Sequence, residues 1–465
     1  MKADPNRGTP IAAALLAFCT ALVSCPAEAS SDPLLDLLVE GSGAAVGAAV
    51  RPEQSLYRGV GVRYDMVPLF VYEGDFAYLY AYRAGLKLLA QPDRRIDIFL
   101  SHRFESFPYD HMPESLAGMA ARGPEMDAGV SYEQRNEWGK VFGEYLHDVS
   151  GMSKGSELRL GYSINRRNGR VQLNPSFILS ARDSKLNDYY YGVMPSEANA
   201  ERPAYQPGGG INATFGLYAR YDLTDRWQLL AGISATRWAS GVRQSPIVDD
   251  HTLQFSGFAG FAYDFAPKKE EPRQEHEPLI VKALHGRSSD CNLLPIMEFS
   301  CTSTSTVDHT SVDAIEFGRP IQERLNGWPV DIVGYLSLLH HDEHGLQSDS
   351  TQVNAYIKAF YYGFPWSGSV RTRIGFGAGL SYAQMVPFVE ARDQAARGRN
   401  TSKLLLYLDP SIDVSVGDVL GIRSLRETYF GFGVSHRSGI FGYSQMFSNV
   451  DGGSNYIYTY VEWKM

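Results

Sequence analysis

The chain has 465 residues, a net charge of −9 at pH 7, 45 glycines, 28 tyrosines, 23 phenylalanines and 4 cysteines. That length exceeds one typical domain, so two units are expected. The acidic balance argues against nucleic acid as a partner, and abundant aromatics and glycines suit twisted, curved sheets.

The N-terminus reads as a targeting segment. Lys2 and Arg7 precede a short apolar core, Ile11 to Val23, and Ala27-Glu28-Ala29 is an A-x-A cleavage site. Residues 1–29 are therefore expected to be a signal peptide. Leu22-Val23-Ser24-Cys25 also resembles a lipobox, which would make Cys25 a lipidated N-terminus. A spanning helix needs about 20 apolar residues. Neither this core nor any later stretch is long enough, so membrane embedding has to use strands.

Period-two alternation then runs through the chain. Leu158, Leu160, Tyr162 and Ile164 share one face, and Arg159, Ser163 and Asn165 the other. A hairpin turn is expected at Asn168-Gly169. Beyond it Val171, Leu173, Phe177 and Leu179 oppose Gln172, Asn174 and Ser176. A second hairpin sets Phe215, Leu217, Ala219, Tyr221 and Leu223 on one face, turns at Thr224-Asp225-Arg226, and returns through Trp227, Leu229, Ala231 and Ile233. One apolar and one polar face fits lipid outside and a polar lumen inside. Long loops are expected at 103–128, 183–209 and 237–253.

Phe255 to Phe265 is aromatic, glycine-rich and alternating, and ends on Tyr263-Asp264-Phe265. It has the character of a barrel's last strand, yet it lies in mid-chain. A charged linker follows at 267–278, and alternation resumes through Val353–Tyr361 and Val370–Leu380. A second terminal-type strand, Tyr456 to Trp463, closes the chain. The expected fold is all-β, with antiparallel transmembrane β-barrels in tandem over 44–266 and 279–465. One larger merged barrel is the alternative. After cleavage only Cys291 and Cys301 remain, and in an oxidising compartment they are expected to form a disulfide.

Several separated runs now carry a resemblance: Tyr57-Arg-Gly-Val with Val67-Pro68, Ser115 to Met119, Asp148 to Gly155, Tyr189 to Ala198, Tyr205 to Gly209, Gln244 to Val248, and Tyr263-Asp-Phe265. Over 44–265 the chain resembles the MipA/OmpV family of outer-membrane proteins. The resemblance implies an outer-membrane barrel of a family whose members are scaffolds for peptidoglycan-remodelling assemblies or adhesin- or porin-like proteins, and a non-catalytic scaffold for partners such as a murein hydrolase is the expected function. It brings no catalytic residues. The Tyr189–Gly192 and Ser245–Val248 motifs are expected to fix loops.

Gly433-Val-Ser-His-Arg-Ser-Gly439 and Asn449 to Asn455 resemble the last strands of PagL-like lipid A deacylases. That resemblance implies Ser438 as nucleophile and His436 as its base, on the lipid side of one strand. The family's Glu is expected after Asp451-Gly452-Gly453, where Ser454 stands; Glu462 lies further on, and Gly439 follows the Ser where Asn is expected. An acyl-ester hydrolase of lipid A, which would be degenerate, is thus the alternative function. A passive pore, with Arg159, Arg220 and Arg371 lining it, is a second. His340 and His344 have a spacing of metal-ligand type, but the segment reads as a strand end. The basic stretch Glu390–Arg399 reads as a loop helix facing lipopolysaccharide phosphates or water. No cofactor or metal is assigned, and the surrounding partners are outer-membrane lipid and lipopolysaccharide.

Overall fold

Alternating side chains make a strand whose two faces meet different surroundings. In the computed structural model this pattern builds two barrels in series, described over residues 36–37, 43–108, 112–249, 253–265, 278–305 and 307–465. The signal segment, with Cys25 and Ala29, and linker residues 267–277 lie outside the described residues.

The first barrel comprises β1 (Ala44–Gln54), β2 (Val62–Glu73), β3 (Ala77–Tyr80), β4 (Arg83–Ala90), β5 (Arg94–Arg103), β6 (Glu125–Asn136), β7 (Gly139–Asp148), β8 (Ser156–Ser163) with its continuation β9 (Arg166–Asn168), β10 (Val171–Arg182), β11 (Gly210–Asp222), β12 (Trp227–Arg237) and β13 (Gln254–Asp264). Successive strands pair antiparallel, and β13 returns to β1 with Asp264 opposite Ala45. Counting β8 and β9 as one line, 12 strands close the ring. Both expected hairpins form. Val171 faces Asn168 across a turn in which Gly169 has φ +58°, a region glycine enters without steric cost.

The second barrel comprises β14 (Ile280–Ser288), β15 (Ser311–Gln322), β16 (Val330–Asp342), β17 (Ser350–Tyr361), β18 (Thr372–Ala383), β19 (Leu404–Ser415), β20 (Thr428–Ser438) and β21 (Asn455–Lys464). These 8 strands form a closed ring of their own, with Val281 opposite Trp463. The mid-chain terminal-type strand therefore ends a barrel, and the two rings are not merged.

The faces sort as the alternation requires. Leu173, Phe177, Leu217, Leu229 and Ile233 are exposed on the outside, while Gln172, Asn174 and Arg220 are buried inside. In the second barrel Ile315, Phe317, Leu338 and Phe376 point outward. Its interior holds Lys358 with Asp409 at 2.8 Å, Lys282 with Glu316 at 2.9 Å, and Arg373 with Asp413 and Glu462, both at 2.8 Å. Tyr335, Tyr356, Tyr407, Tyr458 and Tyr460 fill the space between them. A ring of about eight strands is just wide enough for such packing. Buried charges persist there because each finds a partner.

The first ring carries one defect. β3 has only 4 residues, and the chain turns back at Ala81, which has φ +49°. β2 has 12 residues but pairs with β3 only at Val71, Tyr72 and Glu73. Over Val62–Pro68 the edge of β2 that faces away from β1 therefore has no neighbouring strand of its own barrel among the described residues. The wall is notched there, between β2 and the Tyr82–Phe104 region.

Candidate functional site

Three places carry side-chain constellations: a cap of loops on the first barrel, its lumen, and the rim of the second barrel.

The cap is built from the long loops at the end where β1 finishes. Asp183 accepts a hydrogen bond from Leu186 N at 2.9 Å and so starts the helix Ser184–Tyr191. That helix presents Leu186, Tyr190 and Tyr191 to Leu56, Tyr57, Phe107, Leu116, Val242 and Ile247, forming an apolar core apart from the barrel's own. Polar stitches join the loops. Tyr57 Oη donates to Tyr190 O (3.2 Å), Ser115 Oγ to Arg58 O (2.6 Å), and Ser245 Oγ to Tyr191 O (2.6 Å). Arg122 grips both oxygens of Glu197, at 2.9 and 2.7 Å, and also donates to Tyr189 O. Arg202 ties the backbone oxygens of Ser115, Ala117 and Glu197 together. Burial alone would raise the Glu197 carboxyl, but donation from Met194 N, Ala120 N and Arg122 outweighs it and holds the pKa below the usual range. The Tyr189–Gly192 and Ser245–Val248 motifs thus fix loops. Arg122 and Arg202 were not legible as cap residues, because their partners are mainly carbonyls from distant loops.

The first lumen is stoppered at its other end. Arg220 donates to Leu37 O at 2.7 Å, and Asp36 pairs with Lys140 and with Arg135. Between cap and stopper lies a cavity of about 350 Å³, lined by Arg51, Arg103, Tyr82, Phe104, Tyr218 and Phe258 among others. Its arginines are paired: Arg103 with Asp127 and Glu157 at 2.7 Å, and Arg159 with Glu157 at 3.0 Å. Arg371 stands at the mouth of the second lumen, where it lines a pocket with Arg373, Tyr429 and Glu462. It lies between β17 and β18 at the short-turn end, bound to Asp418 (2.9 Å) and Glu427 (2.7 Å).

On the second barrel, β20 places Phe430, Phe432, Val434, His436 and Ser438 on its outer face and Arg437 inside. His436 Nδ1 lies 2.7 Å from Asn455 Oδ1 on β21, and Asn455 Nδ2 donates to Cys291 O at 2.9 Å. The group that orients the imidazole is therefore Asn455. Ser454 is buried and turned inward, its Oγ donating to Glu390 Oε2 at 3.3 Å. Glu462 lies deep in the lumen with Arg373 and Tyr335. Ser438 Oγ accepts from Ile440 N at 3.4 Å, and no hydrogen bond joins it to His436 among the described residues. The glycine after Ser438 has a steric cause: a Cβ on Gly439 would sit 2.0 Å from Val450 O, so Asn does not fit.

This face is only partly open to lipid. Cys291 and Cys301 are joined by the expected disulfide, and their loop folds down over β20 and β21. It buries Val434, and Phe299 meets Phe432 with ring centroids 6.1 Å apart. Sequence alternation had assigned the whole face to lipid.

The remaining candidates resolve simply. His341 is buried and bonded to Gln352 (3.0 Å), whereas His340 faces outward and His344 lies in the following turn. The basic stretch contains a helix, Phe388–Ala396, that caps the second lumen: Glu390 enters it to bind Arg437 at 2.9 Å. Arg392 is engaged by Asp290, Asp308 and Asp393.

Two closed antiparallel rings with apolar outer bands and charged interiors define an integral outer-membrane β-barrel protein. Residues 45–265 match the family described as MltA-interacting protein MipA. Outer membrane protein Omp26La of Vibrio anguillarum is 34% identical over 151 residues, 32% of this chain and 58% of that protein. Outer membrane protein OmpV of Vibrio cholerae is 32% identical over the same coverage. The putative outer membrane protein YiaT of Escherichia coli K12 is 25% identical over 223 residues, 48% of this chain and 90% of that one. The first barrel is of MipA/OmpV type, and the chain is an outer-membrane protein. It spans 58% of the length of the first two relatives.

Proposed function

We propose that this protein is a non-catalytic outer-membrane scaffold for peptidoglycan-remodelling partners, surrounded by outer-membrane lipid and lipopolysaccharide. The observation that supports this is the packed loop cap over one end of the first lumen, with Asp36 and Leu37 bound inside the other. A barrel covered in this way offers a structured loop surface and no open path along its axis. The matching family is named for binding MltA, which makes MltA the partner to test first. Full-length protein in detergent is expected to elute with MltA as one complex on size-exclusion chromatography. Separate elution at concentrations well above micromolar would remove this reading.

A second reading rests on the 2.7 Å contact of His436 with Asn455 beside Ser438. Ser–His–Asn is a variant of the nucleophile–base–orienter logic, and apo sites often hold the first pair apart. In this reading Ser438 attacks an acyl ester of lipid A as His436 takes its proton. The C–O bond to the lipid breaks, His436 returns the proton to the leaving sugar or hydroxyacyl oxygen, and water then hydrolyses the acyl-Ser438 ester to free fatty acid. Asn455 fixes the ring without stabilising the imidazolium charge. Mass spectrometry of lipid A from cells carrying wild type, Ser438→Ala or no protein tests it. Loss of one acyl chain that requires Ser438 supports the hydrolase; identical lipid A in all three rejects it.

A further inference from the structure

The notch in the first wall is occupied by the second barrel. On β2, Met66 donates from N to Tyr443 O (3.2 Å), and its own O accepts from Ser444 Oγ (2.7 Å). Asp65, pointing into the first lumen, accepts from Gln445 N at 2.7 Å. Tyr443 to Gln445 lie in the loop joining β20 to β21. They take up the free backbone edge as an added strand would, the usual fate of an unpaired sheet edge. Behind them Met446, Phe447 and Val450 are completely buried, in one apolar cluster with Val67 and Leu69 of the first lumen wall. Val67, Leu69, Tyr82 and Phe104 also line the lumen cavity. The notch therefore leads from the barrel's side to that cavity, and the loop of another barrel stands in it.

We propose that the notch is a lateral opening between the bilayer and the first lumen, and that the β20–β21 loop of the second barrel is its gate. The cavity behind it suits an amphiphile with one apolar chain. Val67, Leu69 and Phe104 would meet the chain, and Arg51 and Arg103 lie on the polar side. The cap covers one axial end and Asp36 with Leu37 stand in the other, so the notch is the route that faces the bilayer. The gate is held by few polar contacts and a small apolar plug, and such segments open locally at low cost compared with the barrel.

The test uses the full chain in proteoliposomes with Val67→Cys as a reporter, since this position faces the lumen beside the notch. Residues 441–449 are replaced by a short Gly-Ser link in one variant, and a second carries Met446→Ala with Phe447→Ala. Each is treated with a bilayer-partitioning maleimide and with a charged one. Labelling by the partitioning probe should rise about tenfold or more in both gate variants, because the rate follows the open fraction. The charged probe should gain far less. A reporter that reacts at the same rate with and without the loop overturns the proposal. So does an equal gain for the charged probe, which would mean an opening to water. Unheated gel mobility confirms that each barrel is folded, and the double substitution keeps the comparison if the shortened loop does not fold.

Discussion

The two barrels solve the same problem in different ways. The second ring has 8 strands, and buried tyrosines, lysines and carboxylates fill it. The first has 12, too wide for side chains alone to fill, and it is closed by added chain: a loop cap, an N-terminal stopper and, in the notch, a loop from its neighbour. Interior width grows with strand number, and so does the need for other material to occupy it. Charge pairing inside the small ring is structural. In the large ring the arginines are also paired, and a cavity of about 350 Å³ remains beside them, against about 260 Å³ at the mouth of the small ring.

The contrast can be broken most sharply at Asp409. Lys358 pairs with it at 2.8 Å and Lys282, which also has Glu316, lies 3.4 Å away, and all three are fully buried. Asp409→Ala should cost about 3–5 kcal/mol, the usual price of an orphaned buried charge. It should lower the urea midpoint of the second barrel while protease resistance of the first cap is kept. In the cap, Arg122→Ala removes the charged partner of Glu197 but leaves its Ala120 and Met194 backbone donors, so about 1.5–3 kcal/mol is expected. The readout is proteolysis within 183–209 with the barrel core intact. Removing the Cys291–Cys301 bond with Cys301→Ser should cost about 2 kcal/mol, confined to the loop over β20. Faster reaction of His436 with diethyl pyrocarbonate would report its opening.

Smaller effects follow from pH. The Glu197 pKa is depressed, so its contribution is present above the unfolded value of about 4.3 and is lost as pH falls through the folded value. Protease sensitivity of the first cap should rise below about pH 4. Glu343, in the turn after β16, is raised by burial, so its sign is opposite: acid favours the folded turn, and stability declines as pH rises through its folded value. Glu343→Gln should abolish that slope in the second barrel and leave the first unchanged. Finally, neither lumen should give steady conductance in planar bilayers; a lasting current would contradict the stoppered first barrel.

Much of the architecture was legible in the chain. Leu173, Phe177 and Leu217 against Gln172, Asn174 and Arg220 give the two faces of a wall, because a strand turns alternate side chains to opposite sides. The closure of the first ring in mid-chain was legible too, from the terminal-type strand at 255–265. The site was legible only in part. His436 and Ser438 lie two apart on one strand, so their shared face follows from local geometry. Asn455 did not follow, since counting from the Asp-Gly turn pointed to Ser454, and only the strand register β20–β21 puts Asn455 opposite His436. Arg371 keeps the inward phase of β18 one residue before the strand begins, and so stands at the lumen's mouth and not within it.

The sequence by itself thus determined what is local: strands, faces, hairpins, the disulfide pair and the tandem division. Tertiary structure decided what depends on residues far apart in the chain. It brought Arg122 to Glu197, folded the Cys291–Cys301 loop over β20, turned Ser454 inward, and seated Tyr443 to Gln445 on the free edge of β2. Local periodicity carries no information on such contacts, because each is fixed by ring closure and by the competition of loops for the same unpaired backbone and apolar surface.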